Sequence, residues 1–372
     1  MSIDELFGRE PATREKAANE DDILQGDVIA DEAEEYEYCE AEEVTAEEAH
    51  TSSSDNDKIT IDLSFLKNIG KEIADGLKGL KSDVKTSVKN AGFNWSSSSS
   101  ENGSVDRVLE NFNSIYARLC NACNAKIIEA DRFEIKAWGT EKFIQSLSFD
   151  VANGKLSVIM QSYNANNESD NNIEIYVDFD KGEMLDVTTS GAVDLEIEPD
   201  FEVASFNTSG ACDVSAGNFD QIVAKLSGAC DFEMEHALDA EFIGLGACDI
   251  GIGDVSDSFR AVISGAGDIG SGHLHNAYIQ ISGSGNADVD EASGDLTVKL
   301  SGSSDVAVGG NVDNLILSLS GSCSFDGSDL TANEADITAS GPCDIEIDRV
   351  YGPIKQSIDR LSDVKINNRG DL

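Results

Sequence analysis

The sequence predicts an all-β chain, folded as a right-handed parallel β-helix (a β-solenoid) of about ten or more coils. Two observations predict this fold class. A Ser-Gly-x-x-Asp motif returns at nearly constant spacing through the second half of the chain. Around each copy, apolar and polar residues alternate with the period of two that is typical of half-buried strands.

The acid of this motif recurs every 18 to 20 residues within clear repeats at 187–366. A unit of this length is too short for a helical crossover, so each one fits a single coil whose strands pair with the next coil. The uneven spacing argues against the strict hexapeptide phasing of a left-handed β-helix, which favours the right-handed form. The acid column consists of Asp194, Asp213, Asp231, Asp249, Asp268, Asn286, Asp305, Ser324, Asp344 and Asp363.

A glycine stands three positions before each of the first nine members of this column. We predict that these glycines form a structural corner, because a positive φ or close backbone packing there would exclude a side chain. They are Gly191, Gly210, Gly228, Gly246, Gly265, Gly283, Gly302, Gly321 and Gly341.

The part of the chain before the repeats divides by composition. Residues 1–57 carry twenty acidic and three basic residues and are predicted to be a disordered acidic tail. Residues 58–92 combine apolar spacings of three and four with seven lysines, which indicates an amphipathic helix. A Ser-rich linker is expected at 93–108 and the solenoid domain at 109–372.

Three roles remain open for the Lys-rich helix. It could pack on the solenoid as a cap, pair with another copy as a short coiled coil, or lie on an anionic membrane surface. The polar end of the chain could cap the solenoid as well. Without such caps, the open solenoid ends would invite self-association through unpaired strand edges.

A net charge of -45 excludes nucleic acid as a partner and favours cations. No stretch of eighteen apolar residues suggests a transmembrane helix. The N-terminus lacks the basic and apolar regions of a signal peptide. We therefore expect a cytoplasmic location, with the eight cysteines as free thiols.

The acid column allows two interpretations. Each carboxylate could accept hydrogen bonds within its own corner, as in an Asx turn. Alternatively, a run of carboxylates could bind Ca²⁺ weakly. The calcium candidates are Asp213, Asp231, Asp249 and Asp268, and no other cofactor is expected.

The cysteines and histidines show no catalytic pattern. Five cysteines share the position before the motif acid with Gly and Ser, which indicates small fillers of a tight site. Cys120 and Cys123 form a lone CxxC pair without the further ligands that a zinc site needs. His273 and His275 lie in a variable arc between strands and are expected to be exposed.

The repeats "TSGAVDLEIE", "NTSGACDVSAG", "KLSGACDFEME" and "VISGAGDIGSG" resemble those of the bacterial putative adhesin families. These families include the head-domain type of putative auto-transporter adhesins. The resemblance covers about 250 residues, from near 112 to the end of the sequence. It implies a right-handed β-solenoid, a role in adhesion or surface interaction, and a cell-surface location as the alternative to the cytoplasm.

We therefore predict a non-enzymatic, adhesin-like interaction or structural scaffold with an unknown protein or glycan partner. A first alternative is a cytoplasmic polymer-forming scaffold similar to bactofilins, assembled through solenoid ends. A second is a glycan-active β-helix enzyme, although the arcs are short and no catalytic carboxylate pair stands out.

Overall fold

The computed structural model describes residues 102–163 and 170–370. The acidic tail, the Lys-rich helix and linker residues 93–101 therefore lie outside the described residues. The described part is almost entirely strand, with one short helix, in this order: β1 (Asn102–Val108), β2 (Ser114–Glu129), β3 (Glu134–Thr140), α1 (Glu141–Ser146), β4 (Leu147–Ala152), β5 (Lys155–Met160), β6 (Asn172–Val177), β7 (Lys181–Ile197), β8 (Asp200–Gly265), β9 (Ile269–Gly283), β10 (Asn286–Gly302), β11 (Asp305–Gly321), β12 (Ser324–Ser340), β13 (Asp344–Val350), β14 (Ile354–Ile358) and β15 (Asp363–Arg369).

The repeats stack in parallel and in register, which confirms the predicted β-solenoid. Asp194 pairs with Asp213, Asn286 with Asp305, and so on along the order β2-β7-β8-β9-β10-β11-β12-β13-β15. Strand β8 runs through 66 residues and turns several corners without leaving the ladder. The right-handed sense of the coil stays a prediction.

The core is a thin column of side chains that point inward from every coil. The position after the motif acid is apolar and at most 4 % exposed from β7 to β13. Farther along the coils, five phenylalanines contact one another in series, with ring centroids 5.0 to 6.3 Å apart. Burying each of these large side chains contributes about 1.5–3 kcal/mol to folding. The stacked phenylalanines are Phe206, Phe219, Phe232, Phe242 and Phe259.

The lone CxxC pair belongs to an additional coil of the repeat. In the pairing of β2 with β7, Asn121 lies beside Gly191, Cys123 beside Val193, and Asn124 beside Asp194. Asn121 has a φ of 63°, so it takes the left-handed backbone that glycine adopts in later coils. The sequence "CNACN" is therefore a degenerate form of the Ser-Gly-x-Cys-Asp pattern.

Strands with antiparallel partners flank this first coil, and two of them, β5 and β6, also pair parallel with β2. Strand β3 pairs antiparallel with both β1 and β6. Strands β4 and β5 form a hairpin whose turn residues Asn153 and Gly154 have φ values of 54° and 74°. This connection is therefore a hairpin turn. Residues 102–108, placed in the linker by composition, form β1 instead.

At the C-terminal end of the described solenoid, the apolar side chains of the last strands are less buried. Strand β14 pairs with β12, and β15 pairs with β13. Their apolar residues Ile354, Ile358, Val364 and Ile366 are only partly buried. Within residues 102–163 and 170–370, no further strand pairs with the outer edges of β14 and β15.

Candidate interaction surface

The corner glycines stack directly on one another. All nine have a φ between 94° and 139°, a region that side chains disfavour. A Cβ atom at Gly265 would lie 2.1 Å from the carbonyl oxygen of Gly246, one coil below. Both reasons offered for the glycine column therefore apply, and the corner brings successive coils into close backbone contact.

The thiols next to this corner contact backbone carbonyl oxygens. Five cysteine Sγ atoms lie 3.4 to 3.9 Å from the backbone carbonyl oxygen three residues earlier in the chain. The same Sγ atoms also face the carbonyl oxygen of a corner glycine one coil below. Ser362 donates its hydroxyl to Gly341 in the same way. The column is thus a set of weak donors to corner carbonyls as well as small fillers. Its cysteines are Cys212, Cys230, Cys248, Cys323 and Cys343, all free and buried.

Burial also raises the pKa of a thiol in the first coil. The pKa of Cys123 is raised to about 12, chiefly by burial and further by Cys120 and Asp194. Because the thiolate is the nucleophilic and metal-binding form, this shift disfavours both kinds of chemistry at Cys123.

The acid column does not form hydrogen bonds within its own corners at the two coils where the bonds are resolved. Asp249 accepts the backbone N–H of Asp268 at 3.0 Å, and Asp268 accepts that of Asn286 at 2.9 Å. The Asx-turn expectation named the wrong backbone group, because the acceptor reaches the next coil instead. These carboxylates therefore connect coils at a point where the strand ladder is interrupted.

The acid column also forms one wall of a shallow groove of about 680 Å³. The groove crosses six successive coils, which corresponds to a length of about 24 Å at 4.8 Å per coil. Its outward residues are the motif acids and the residues two positions later. Seven of them are carboxylates and none is basic: Asp231, Glu233, Asp249, Asp268, Asp288, Asp305 and Asp326.

Small residues form the floor of this acidic groove. Gly251, Gly270 and Ala307 stand where neighbouring coils carry Glu233, Asp288 and Asp326. A Cβ atom at Gly270 would have nothing within 4 Å. The depression therefore exists because side chains are missing from an open surface, and exposed backbone lies between acidic walls.

Electrostatic repulsion along the groove is visible in one carboxyl group. The pKa of Asp231 is raised by partial burial and by the charges of Asp213 and Asp249 on the adjacent coils. A positive charge placed in the groove would relieve this repulsion. The calcium candidates Asp213, Asp231, Asp249 and Asp268 lie on this ladder, yet no cluster of three metal-ligating side chains occurs within the described ranges.

Basic side chains lie on the sheet before the corner. The Arg260 guanidinium and the Lys299 ammonium lie 4.6 and 5.1 Å from the centre of the Tyr278 ring. Arg260 also forms an ion pair with Glu241 at 3.0 Å. The corner thus separates a mixed cationic and aromatic surface from the acidic groove.

The arc histidines are placed differently from the expectation. His273 and His275 are partly buried, and both face the hydroxyl of Ser293. The exposed arrangement predicted for them is wrong, because this arc pairs in register with the next coil and places Ser293 beside His275. The sequence gives only a weak signal for this pair, since Ser293 is eighteen residues away.

The chain matches one family model and is similar to several solved structures. The family model described as "Putative auto-transporter adhesin, head GIN domain" matches residues 111–270 and 261–370. A putative adhesin structure from Bacteroides fragilis is 15% identical, with 70% of this chain and 98% of that chain covered and a TM-score of 0.36. One from Parabacteroides merdae is 11% identical, with 72% and 96% covered and a TM-score of 0.36. No curated protein matches the chain. Among the described residues, no helix is both long and apolar enough to cross a membrane.

Proposed function

This chain belongs to the family of putative auto-transporter adhesins with a head GIN domain, and from that premise we propose that it is a non-enzymatic, adhesin-like binding domain that acts at the cell surface. We further propose that the acidic groove is its binding surface. The family indicates an interaction partner of unknown kind, and the charge of the groove supports a cationic one.

One observation carries the assignment. Seven carboxylates line a single groove across six coils, and the small residues Gly251, Gly270 and Ala307 form its floor. Such a surface can accept an extended chain along its length, with cationic groups against the walls and backbone groups against the floor. Electrostatic complementarity of this kind speeds association and excludes anionic partners. The partner class is therefore a basic, extended polypeptide segment.

The alternatives are less well supported. The expected cytoplasmic location has no support from the comparisons, because the family of adhesins suggests the cell surface. The same family membership favours neither a polymer-forming scaffold nor a glycan-active enzyme. A hydrolysis and lyase screen with polysaccharides should accordingly release no product.

The direct test uses a labelled peptide of alternating Lys and Gly. Seven residues span about 24 Å when extended, which matches the groove. Fluorescence anisotropy at 0.15 M salt would compare the natural chain with the pair Glu233→Lys/Asp288→Lys. We expect the peptide affinity of that pair to fall at least about tenfold, which corresponds to 1.4 kcal/mol.

The matched control is Glu183→Lys/Glu202→Lys, which changes the net charge equally at two exposed carboxylates outside the groove. At this salt the Debye length is about 8 Å, so the control should lose less than about twofold. Gly270→Gln, which fills the floor without changing charge, should weaken binding too. Equal losses in both charge pairs would show that only the overall charge matters and would refute the groove.

A further inference from the structure

Two histidines converge on one hydroxyl group in the arc between β9 and β10. The Nε2 atom of His273 lies 2.9 Å from the Oγ atom of Ser293, and the Nδ1 atom of His275 lies 3.0 Å from the same oxygen. The two ring nitrogens are therefore no more than about 6 Å apart. A serine hydroxyl carries one proton, so it can donate to only one of them.

The backbone around this pair is shaped to hold the His275 ring. Gly294 has a φ of 67°, and a Cβ atom there would lie 2.7 Å from the Cε1 atom of His275. Asn276 has a φ of 47°, and its side chain accepts the backbone N–H of Asp295 at 3.1 Å. Asn276 is one of three non-glycine residues with positive φ among the described residues, and the repeat corner and the hairpin account for the other two. Strained backbone of this kind concentrates at functional sites.

Carboxylates flank the histidine pair on the neighbouring coils. Asp254 and Glu291 are both in register with His273, one coil below and one coil above. Asp254 already accepts the backbone N–H of His273 at 3.0 Å. The Glu291 side chain is exposed, and its strand lies about 4.8 Å from that of His273, on the side where Ser293 pairs with His275.

We propose that this arc binds a divalent transition-metal ion of the zinc type, with the Nε2 atom of His273 and the Nδ1 atom of His275 as ligands and the Glu291 carboxylate as the third. Imidazole suits such ions, and a carboxylate completes a common ligand set. Zinc–nitrogen bonds of about 2.0–2.1 Å require the two nitrogens to approach to about 4 Å or less. These three groups do not form a ligand cluster as they lie in the structure, so metal binding requires the two histidine side chains to rotate and to release the Ser293 hydroxyl.

The test is calorimetric titration of the full chain with Zn²⁺ in a large excess of Mg²⁺, which occupies carboxylates and leaves imidazoles free. The natural chain should bind one Zn²⁺ ion. Both His275→Gln and His273→Gln should weaken binding at least about tenfold, and Glu291→Gln should weaken it measurably. Two single-histidine variants keep the test valid if one of them folds poorly.

The matched control is His236→Gln. His236 faces a single serine hydroxyl, that of Ser256, at 3.5 Å on a neighbouring arc, so its loss should leave zinc affinity unchanged. A visible spectrum with Co²⁺ gives a second readout, because the ligand-field bands should disappear in His275→Gln alone of these two variants. Absence of Zn²⁺ binding above the Mg²⁺ background, or equal loss in His236→Gln, would overturn the proposal.

Discussion

The backbone of the corner column requires glycine, and the substitution Gly265→Ala tests this requirement. The native φ of 134° at this position is costly for alanine, by about 1–3 kcal/mol. The new Cβ atom would also lie 2.1 Å from the Gly246 carbonyl oxygen. That oxygen accepts the backbone N–H of Ala266 at 2.8 Å, so the clash disturbs a bond between coils worth about 0.5–1.5 kcal/mol.

Alanine also restricts the unfolded chain, which favours folding by about 0.4–1 kcal/mol. The net loss for Gly265→Ala is therefore about 0.5–4 kcal/mol. In a domain of this size, each kcal/mol lowers the melting temperature by about 2 °C. Thermal unfolding followed by circular dichroism should show a decrease of about 1–8 °C.

Gly270→Ala provides the matched control within the same solenoid. Its φ is outside the left-handed region and its Cβ atom would meet nothing within 4 Å. Only the unfolded-state effect remains, so its melting temperature should stay level or rise slightly. If Gly265→Ala melts at the same temperature as Gly270→Ala, the corner does not require glycine and the stacking argument fails.

Two further predictions concern carboxylates. The pKa of Asp186 is raised to about 6, chiefly by burial and against the opposing effect of Lys155, so stability is lost as the pH rises through about 6. Asp186→Asn should therefore raise the free energy of unfolding at pH 7.5 by up to about 3 kcal/mol, and the melting temperature with it, but change both little at pH 3.5. An equal effect at both pH values would contradict the burial argument. If the ladder at Asp213, Asp231, Asp249 and Asp268 binds Ca²⁺ with millimolar affinity, then 5 mM Ca²⁺ should add about 1 kcal/mol, or about 2 °C. A melting curve equal to that in 5 mM Mg²⁺, and unchanged by chelator, would exclude a specific calcium site.

The repeated part of the fold could be predicted from sequence because one physical constraint acts on every coil. Gly228 and Gly246, three positions before Asp231 and Asp249, both have a positive φ and each lies against the corner glycine of the coil below. The regular spacing of these glycines therefore indicates stacked coils. The buried position after each acid follows from the alternation of two. Both the corner glycine and the buried position can be recognised within one unit, and the same pattern recurs in the next unit.

The remaining parts depend on contacts that do not repeat. The first coil was missed because antiparallel strands and a hairpin separate Asn124 from its partner Asp194 by 70 residues. The hydrogen bond from the backbone of Asp268 to the Asp249 side chain crosses to another coil, which the sequence of one corner does not reveal. The convergence of His273 and His275 on Ser293 likewise depends on how one arc meets the next.

The fold does not determine which residues form the groove floor. Gly265 is a glycine because the backbone leaves it no alternative. Gly251 and Gly270 have no such requirement, since a Cβ atom would have ordinary contact or open space. Adjacent coils carry Glu233 and Asp288 at the same column, so the solenoid accepts long side chains there. Two consecutive glycines at a position that the fold leaves free lower stability slightly and open the surface. That combination is expected where the surface, and not the core, determines the residue, which is consistent with the acidic groove proposed as the binding surface.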